Sequence, residues 1–366
     1  MKKLCTQKKT IMVRKTLGQI ATVAVLLFSL SSCQKDPVDD GGDTLSPPSS
    51  AAYADLKKLA DELVNVQFNV EDGLEYTTPK GTVITFGENS LVDENDDDVT
   101  GEVELTFVEM YDRGTMVATD NALMGYLEIG SIPGELHAQP LVTGGQFFVE
   151  VKQGSKTLKA KPGHPYKLVV DARHTGGIDN EMTMWRLIAV NMAGDPIPGI
   201  DITVNQCCPP SNGRIVWDEV DGADRETTWM GADVQLSTYN VFSTEFGWTN
   251  IDRFYSDERE KTQIKVFVPN GYDHTNTDVY VAYEDEPGVL AKLDAFDTAD
   301  KFFSEHYGYL PIGLKVHLIF TSESNGTIVY AIKTVTITAN GTFTFYMTDL
   351  QTTTKNNLIS MINALD

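Results

Sequence analysis

The chain is short of cysteine, of positive charge and of every compact catalytic motif, and each shortage excludes something. Four cysteines in 366 residues, at positions 5, 33, 207 and 208, are too few for a disulfide framework. No Cys-x-x-Cys pair, Gly-x-Ser-x-Gly elbow or phosphate-cradling glycine loop occurs, so dithiol redox, serine-hydrolase and nucleotide chemistry lack their usual residues. The six histidines, 137, 164, 174, 274, 306 and 317, are scattered, and none forms the i, i+4 pair of a helical zinc site. Only 29 basic residues stand against 52 acidic ones, a formal charge of −23. Such a chain is repelled by phosphate backbones and anionic headgroups, which argues against nucleic-acid binding and electrostatic docking on membranes. These absences lead us to expect no cofactor, no catalytic residue and no enzymatic activity.

What is present begins at the N-terminus. Lys2, Lys3, Lys8, Lys9, Arg14 and Lys15 precede an apolar run from Ile20 to Leu30, with no acid among them, and Leu30-Ser31-Ser32-Cys33 follows. The run is too short to span a bilayer and ends in small residues suited to signal-peptidase cleavage. LSSC resembles the lipobox of bacterial lipoproteins. That resemblance implies that the Cys33 thiol receives a diacylglycerol, that acyl chains such as palmitate hold the protein to a membrane, and that residues 1–32 are removed. Met12 offers a second start, from which Cys5 is never made. The mature chain would have 23 basic and 52 acidic residues, a formal charge of −29. Its membrane contact is then the lipid alone, where two or three buried chains at about 0.8 kcal/mol per methylene hold firmly. No later apolar run reaches the length of a transmembrane helix.

From Gln34 to Ser50 the chain is rich in Asp, Gly, Ser and Pro and cannot bury a core, so residues 33–52 read as a lipidated cysteine with a flexible tether. Lys35-Asp36 and Asp39-Asp40 resemble the acidic export signal of Bacteroidota surface lipoproteins. This implies an outer-membrane location facing outward; the alternative is an ordinary acidic linker.

Residues 54–64 place Leu56, Leu59, Ala60, Leu63 and Val64 on one helical face, and after them the period falls to two. Glu102 to Phe107 and Gln146 to Lys152 alternate as half-buried antiparallel strands, with further strands at 169–171 and 184–190. Near the C-terminus, strands at 314–320 and 327–332 flank the turn Ser324-Asn325-Gly326, and 264–268 supplies another strand. Asn340-Gly341, between Val335-x-Ile337-x-Ala339 and Phe343-x-Phe345, predicts a type I′ hairpin completing a meander. Val289 to Phe303 and Lys355 to Leu365 read as helices, the second facing inward through Leu358, Ile362 and Leu365.

Gly81-Thr82-Val83-Ile84-Thr85-Phe86, Leu91-Val92-Asp93-Glu94-Asn95 and Val99-Thr100-Gly101-Glu102-Val103 together resemble the opening of ZU5-like β domains in Bacteroidota surface lipoproteins. Phe246 to Tyr255 resembles the G-W-x-N-x-D-R-F signature that accompanies that domain, with Ile251 where many relatives have cysteine. The resemblance spans about residues 80–260 and implies an antiparallel β-sandwich exposed on the envelope. Some ZU5-containing proteins cleave themselves at His-Phe-Ser, a tripeptide this chain lacks.

Three constellations invite chemistry. Asp93, Asn95, Asp97 and Glu104 fall at calcium-loop positions 1, 3, 5 and 12, but Asp98 stands where an EF-hand needs glycine and Glu104 lies in a strand, so an acidic turn without metal is the main expectation. Trp248, Asp252, Arg253 and Tyr255 form either a ligand platform for a glycan or protein partner, or a structural corner with the aromatics in the core. Cys207-Cys208, in Asn-Gln-Cys-Cys-Pro-Pro, is either an inert loop pair or a strained redox ring.

The expected molecule is mainly β: antiparallel sandwich domains with a few short helices, behind a signal peptide and tether. The segments are 1–32, 33–52, a ZU5-like region 53–260 and a C-terminal β domain 261–366. Its expected role is non-catalytic binding or adhesion toward a protein or glycan. The alternatives are a secreted hydrolase of polysaccharide or peptide, and a structural subunit of a surface assembly.

Overall fold

Alternating apolar and polar side chains build most of this molecule, and the sheets they form decide where its surfaces lie. The computed structural model describes residues 57–128, 136–191, 213–284, 286–305 and 310–365, with Pro47, Tyr53, Ile197 and Ile202. Cys33, the Cys207–Cys208 pair, the signal and nearly all of the tether lie outside these residues. The fold is mainly β.

In Glu102–Met110, Val103, Leu105 and Phe107 are buried while Glu102 and Glu104 are exposed, the period-two pattern expected of this strand. It pairs with Val64–Asn69 on one side and with the long strand Leu136–Gln153 on the other. The large sheet continues through Gly247–Phe254, Thr183–Asn191 and Gly213–Glu219 to Met124–Glu128. That last strand also pairs with the start of the long one, Met124 opposite Pro140, so part of the sheet closes on itself. The closure is tightly filled. A Cβ on Gly125 would meet Leu141 at 2.7 Å, Trp185 at 2.9 Å and Phe254 at 3.0 Å, so only glycine fits there.

Successive residues of the long strand serve two cores. Phe147, Val149 and Val151 face a second sheet, of Thr228–Asp233, Thr238–Ser243, Tyr166–Asp171, Val83–Phe86 and Leu74–Thr77. Phe148 joins Trp185, Trp217 and Trp248 in a separate cluster on the opposite face. Each fully buried side chain of this size contributes about 1.5–3 kcal/mol.

Residues 265–353 form two smaller sheets. One is ordered Ala295–Asp297, Phe302–Ser304, Lys265–Phe267, Thr342–Thr344; the other Leu290–Lys292, Thr277–Tyr283, Lys315–Ser324, Thr327–Thr336, Gln351–Thr353. The core is continuous across both halves, and Val142 bridges to Val289.

Among the described residues two α-helices complete the fold. Helix α1, Arg113–Thr119, is capped by Asp112, whose carboxylate accepts from the Thr115 amide at 2.8 Å, and ends at Asp120 in a left-handed conformation. The helical reading of the sequence missed it. Helix α2, Lys355–Asn363, lies where expected with Leu358 and Ile362 buried, and crosses α1 at Gly114, where a Cβ would stand 2.5 Å from the Ile359 carbonyl.

Three local expectations are corrected. Val289 to Phe303 is three short strands rather than a helix, and the Asp297 carboxylate caps a turn at the amides of Ala299 and Asp300. Asn340 adopts the positive φ of a turn, but Thr342–Thr344 leaves it to pair in parallel with Lys265–Phe267, so the predicted hairpin and third meander strand do not form. The hairpin at Asn325-Gly326 does form. Within 54–64 the described residues show only a 3₁₀ turn, Leu59–Glu62, followed by a strand from Val64.

Candidate functional site

Where the strand Gly247–Phe254 begins, the large sheet borders an open groove of about 840 Å³. The long strand gives it Phe148 and Glu150, the signature strand gives Trp248, and the strand Thr183–Asn191 gives Arg186 and Leu187. Its wall is completed by Trp229 and Glu245. Trp248 is only 3% exposed, packed against Phe148 with ring centroids 5.4 Å apart, and forms part of the lining from within the core. Trp229 is 39% exposed and is held flat by stacking on Phe242, 5.3 Å away with an 11° interplanar angle. A rigid, accessible indole face of this kind stacks on apolar faces of ligands.

Charge in the groove is organised by Arg186. Its guanidinium pairs with Asp224, lies 3.5 Å from Glu245 and 3.7 Å from Asp218. Glu245 also accepts a hydrogen bond from the Thr227 hydroxyl at 2.9 Å. Burial, with the nearby charges of Asp221 and Asp224, pushes the Asp218 carboxyl up from its ordinary value against the pull of Arg186. At the rim Lys159 pairs with Asp96 at 2.8 Å. The described lining includes no serine, cysteine or histidine. It offers aromatic faces, a guanidinium and carboxylates, which are groups for recognition by stacking and hydrogen bonding.

The four platform candidates do not come together. Trp248 lines the groove. Asp252 is fully buried at a bulge after Ile251, accepts from the Asn250 amide at 2.9 Å, and reaches no exposed surface; burial holds its carboxyl well above the usual range. Arg253 pairs with Asp179 at 2.5 Å, and Tyr255 donates to Asp257 at 3.1 Å while packing edge-on against Tyr283. Sequence reasoning missed Trp229, Arg186 and Glu245, which no motif links.

The calcium candidates behave as a turn. Asp93 accepts the amides of Asn95 and Asp97 at 2.8 and 3.1 Å, and Glu104 lies opposite Lys152 in the large sheet. Among the described residues no group of three or more His, Cys, Asp or Glu side chains could hold a metal ion, so Asp93, Asn95, Asp97 and Glu104 do not converge as a site.

A smaller cleft of about 210 Å³ lies beside Tyr111 and His174, whose rings stack at 4.4 Å. Its polar groups are largely spent on the fold: the Tyr111 hydroxyl donates to buried Glu109 at 3.1 Å, and His174 bonds the Lys80 carbonyl at 2.7 Å. Comparison of the chain with protein-family models and with curated proteins finds no match to either.

Proposed function

We propose that this protein is a lipoprotein of the outer membrane, anchored through Cys33 and facing outward, that binds a glycan in the groove without transforming it. The supporting observation is the pairing of an exposed, stacked Trp229 with the polar cluster around Arg186 along one open channel. A sugar presents one apolar ring face and a rim of hydroxyls, and this lining matches both. The ZU5-like resemblance and the acidic residues behind Cys33 agree with a surface address. No described helix is long and apolar enough to cross a membrane, so attachment in this reading falls to the lipid.

Glycan-array screening of the full chain in detergent, beside its Trp229→Ala variant, tests the binding. Capture of a glycan by the parent and its loss in the variant support the reading; no captured glycan, or equal capture by both, overturns it. For the anchor, Cys33→Ser should leave the signal uncut and take up no labelled fatty acid. Normal labelling of that variant would end the lipoprotein reading.

A second reading, a subunit of a surface assembly, rests on the edge strand Thr228–Asp233. Among the described residues the large exposed hydrophobics include Trp229, Val234 and Leu236, all on the hairpin this strand opens. An uncovered strand edge with apolar neighbours accepts another strand. Light scattering that shows a concentration-dependent mass, abolished by Gly231→Pro, would favour assembly over glycan binding.

A further inference from the structure

Away from the groove, two lysines and two aspartates meet in a largely enclosed cluster. Lys57 contacts Asp278 Oδ2 with its ammonium nitrogen and lies 3.5 Å from Asp120 Oδ2. Lys292 lies 2.8 Å from Asp278 Oδ1 and 2.7 Å from Asp120 Oδ1. The side chains of Lys57 and Asp278 are each 12% exposed. Tyr53 and Tyr280 wall the site: Lys57 Nζ is 4.4 Å from the Tyr53 ring centre and donates to the Tyr280 hydroxyl at 3.2 Å. Tyr53 donates to Asp278 Oδ2 at 2.9 Å, and Tyr280 donates to Asp120 at 2.6 Å.

The geometry points to an intramolecular amide bond between Lys57 Nζ and Asp278 Cγ, formed by the protein on itself once folded. The groups that such a condensation uses are gathered here. The nucleophile touches the electrophilic carboxyl group. Lys292 faces the oxygen that must carry negative charge in the tetrahedral intermediate. Tyr53 donates to the other oxygen, the one that departs; Asp120, whose carboxyl is held, against the effect of burial, well below its ordinary value by Lys292 and Lys57, stands within reach of the attacking nitrogen and takes its proton once Lys57 has lost its own charge. Burial, reinforced by the charge of Lys292 and opposed by Asp120, brings the Lys57 amine down to about 7, so a nucleophilic neutral fraction exists at neutral pH.

The step balances without an oxidant or co-reactant. A proton passes from the Lys57 ammonium to the Asp278 carboxylate, leaving amine and carboxylic acid. Nζ attacks Cγ; Asp120 takes a second proton from the nitrogen and gives it to the leaving Oδ2 hydroxyl. The N–C bond forms, the C–Oδ2 bond breaks, and one water departs. Two positive and two negative groups become one of each, Lys292 and Asp120, which remain paired. The product ties the segment just after the tether to the strand Thr277–Tyr283, a link spanning 221 residues. Pull applied at the anchor would then reach a sheet strand through covalent bonds.

Intact-mass and tryptic-peptide mass spectrometry of the full chain in detergent tests this. The expected chain is lighter by one water, resists cleavage after Lys57, and yields a branched peptide joining Lys57 to Asp278. Lys57→Arg should restore the full mass. Asp278→Asn, which keeps the shape of the site, should lose ammonia instead and give a product of the same mass as the parent, a result no ion pair produces. Asp120→Asn should leave unlinked chain in a sample whose circular dichroism is native. A parent chain of full mass, or a branch through Lys292, overturns the proposal.

Discussion

The groove and the four-residue cluster each gather lysine or arginine with several carboxylates, yet they leave those charges in opposite circumstances. Around Arg186 the partners Asp218, Asp224 and Glu245 keep about two-fifths of their side-chain surface exposed. Solvent screens them, each pair contributes little to stability, and each group stays available to a ligand. Lys57 and Asp278 are each 12% exposed, with Asp120 and Lys292 closing over them at about three-tenths, so these charges are met mainly by one another and by the Tyr53 and Tyr280 hydroxyls. There, removal of Lys57 or Asp278 leaves the remaining charges with less compensation than their burial requires. Charge composition alone does not distinguish a recognition surface from an internal fastening; enclosure does.

The largest effect that would sharpen this contrast is expected at the enclosed cluster. Asp278→Ala should cost about 3–5 kcal/mol, measured as a shift in the urea midpoint, because the proposed tie to Lys57 cannot form and the Lys57 charge returns beside Lys292 with Asp120 as their one carboxylate. A loss as small as that of a surface pair would break the comparison. Next comes packing without charge: Gly125→Ala should cost about 1–3 kcal/mol in the same assay, since its methyl group must displace Leu141, Trp185 or Phe254.

A third prediction concerns pH. The buried Asp252 carboxyl is held well above its ordinary value by desolvation, so at pH values between the ordinary and the raised value it is protonated when folded and ionised when unfolded. Folding therefore takes up a proton, and the group's penalty grows as pH rises above the unfolded value of about 3.9, by up to about 1.4 kcal/mol per pH unit until the folded group ionises. Asp252→Asn should raise the melting temperature at pH 7 and lose that advantage toward pH 4. An unchanged difference across this range would show that the carboxyl ionises normally inside the fold. The smallest stability effect should be at the groove: Trp229→Ala should alter stability by only about 0.5 kcal/mol, while lowering affinity for a captured glycan at least about tenfold by titration calorimetry.

The sequence reveals those parts of the fold that depend on neighbours along the chain. Alternation in Glu102–Met110 and Lys315–Ser324 exposes the strands, because one buried face is enough to impose period two. Helix α2 shows itself through Leu358 and Ile362. The spacing of Val289, Leu290, Leu293 and Phe296 fits a helix as readily as the short buried strands it forms, and periodicity cannot separate them. Asn340-Gly341 specifies a bend but not which strand lies beyond it, and Lys265–Phe267 takes the place of the expected partner. Closure of the large sheet depends on the long strand pairing at two different places along its length, which no local pattern encodes.

The candidate site was less legible still. Trp248 was visible as an aromatic in a signature, but its enclosure and its place at the groove depend on Phe148, a hundred residues earlier. Arg186, Trp229 and Glu245 stand in three separate stretches with ordinary neighbours. Lys57 and Asp278 are farther apart again, and only the completed fold makes them adjacent.

Asp120 both ends helix α1 in a left-handed turn and faces Lys57 and Lys292 with its side chain, which has a consequence for synthesis. Two members of the enclosed quartet leave the ribosome early, and the other two emerge only when three-quarters of the polypeptide has been made. The proposed link from Lys57 therefore cannot form before Lys292 has been made. If the chain is exported unfolded, as the lipoprotein reading would have it, that link is still open during passage and closes only as the fold is completed on the far side.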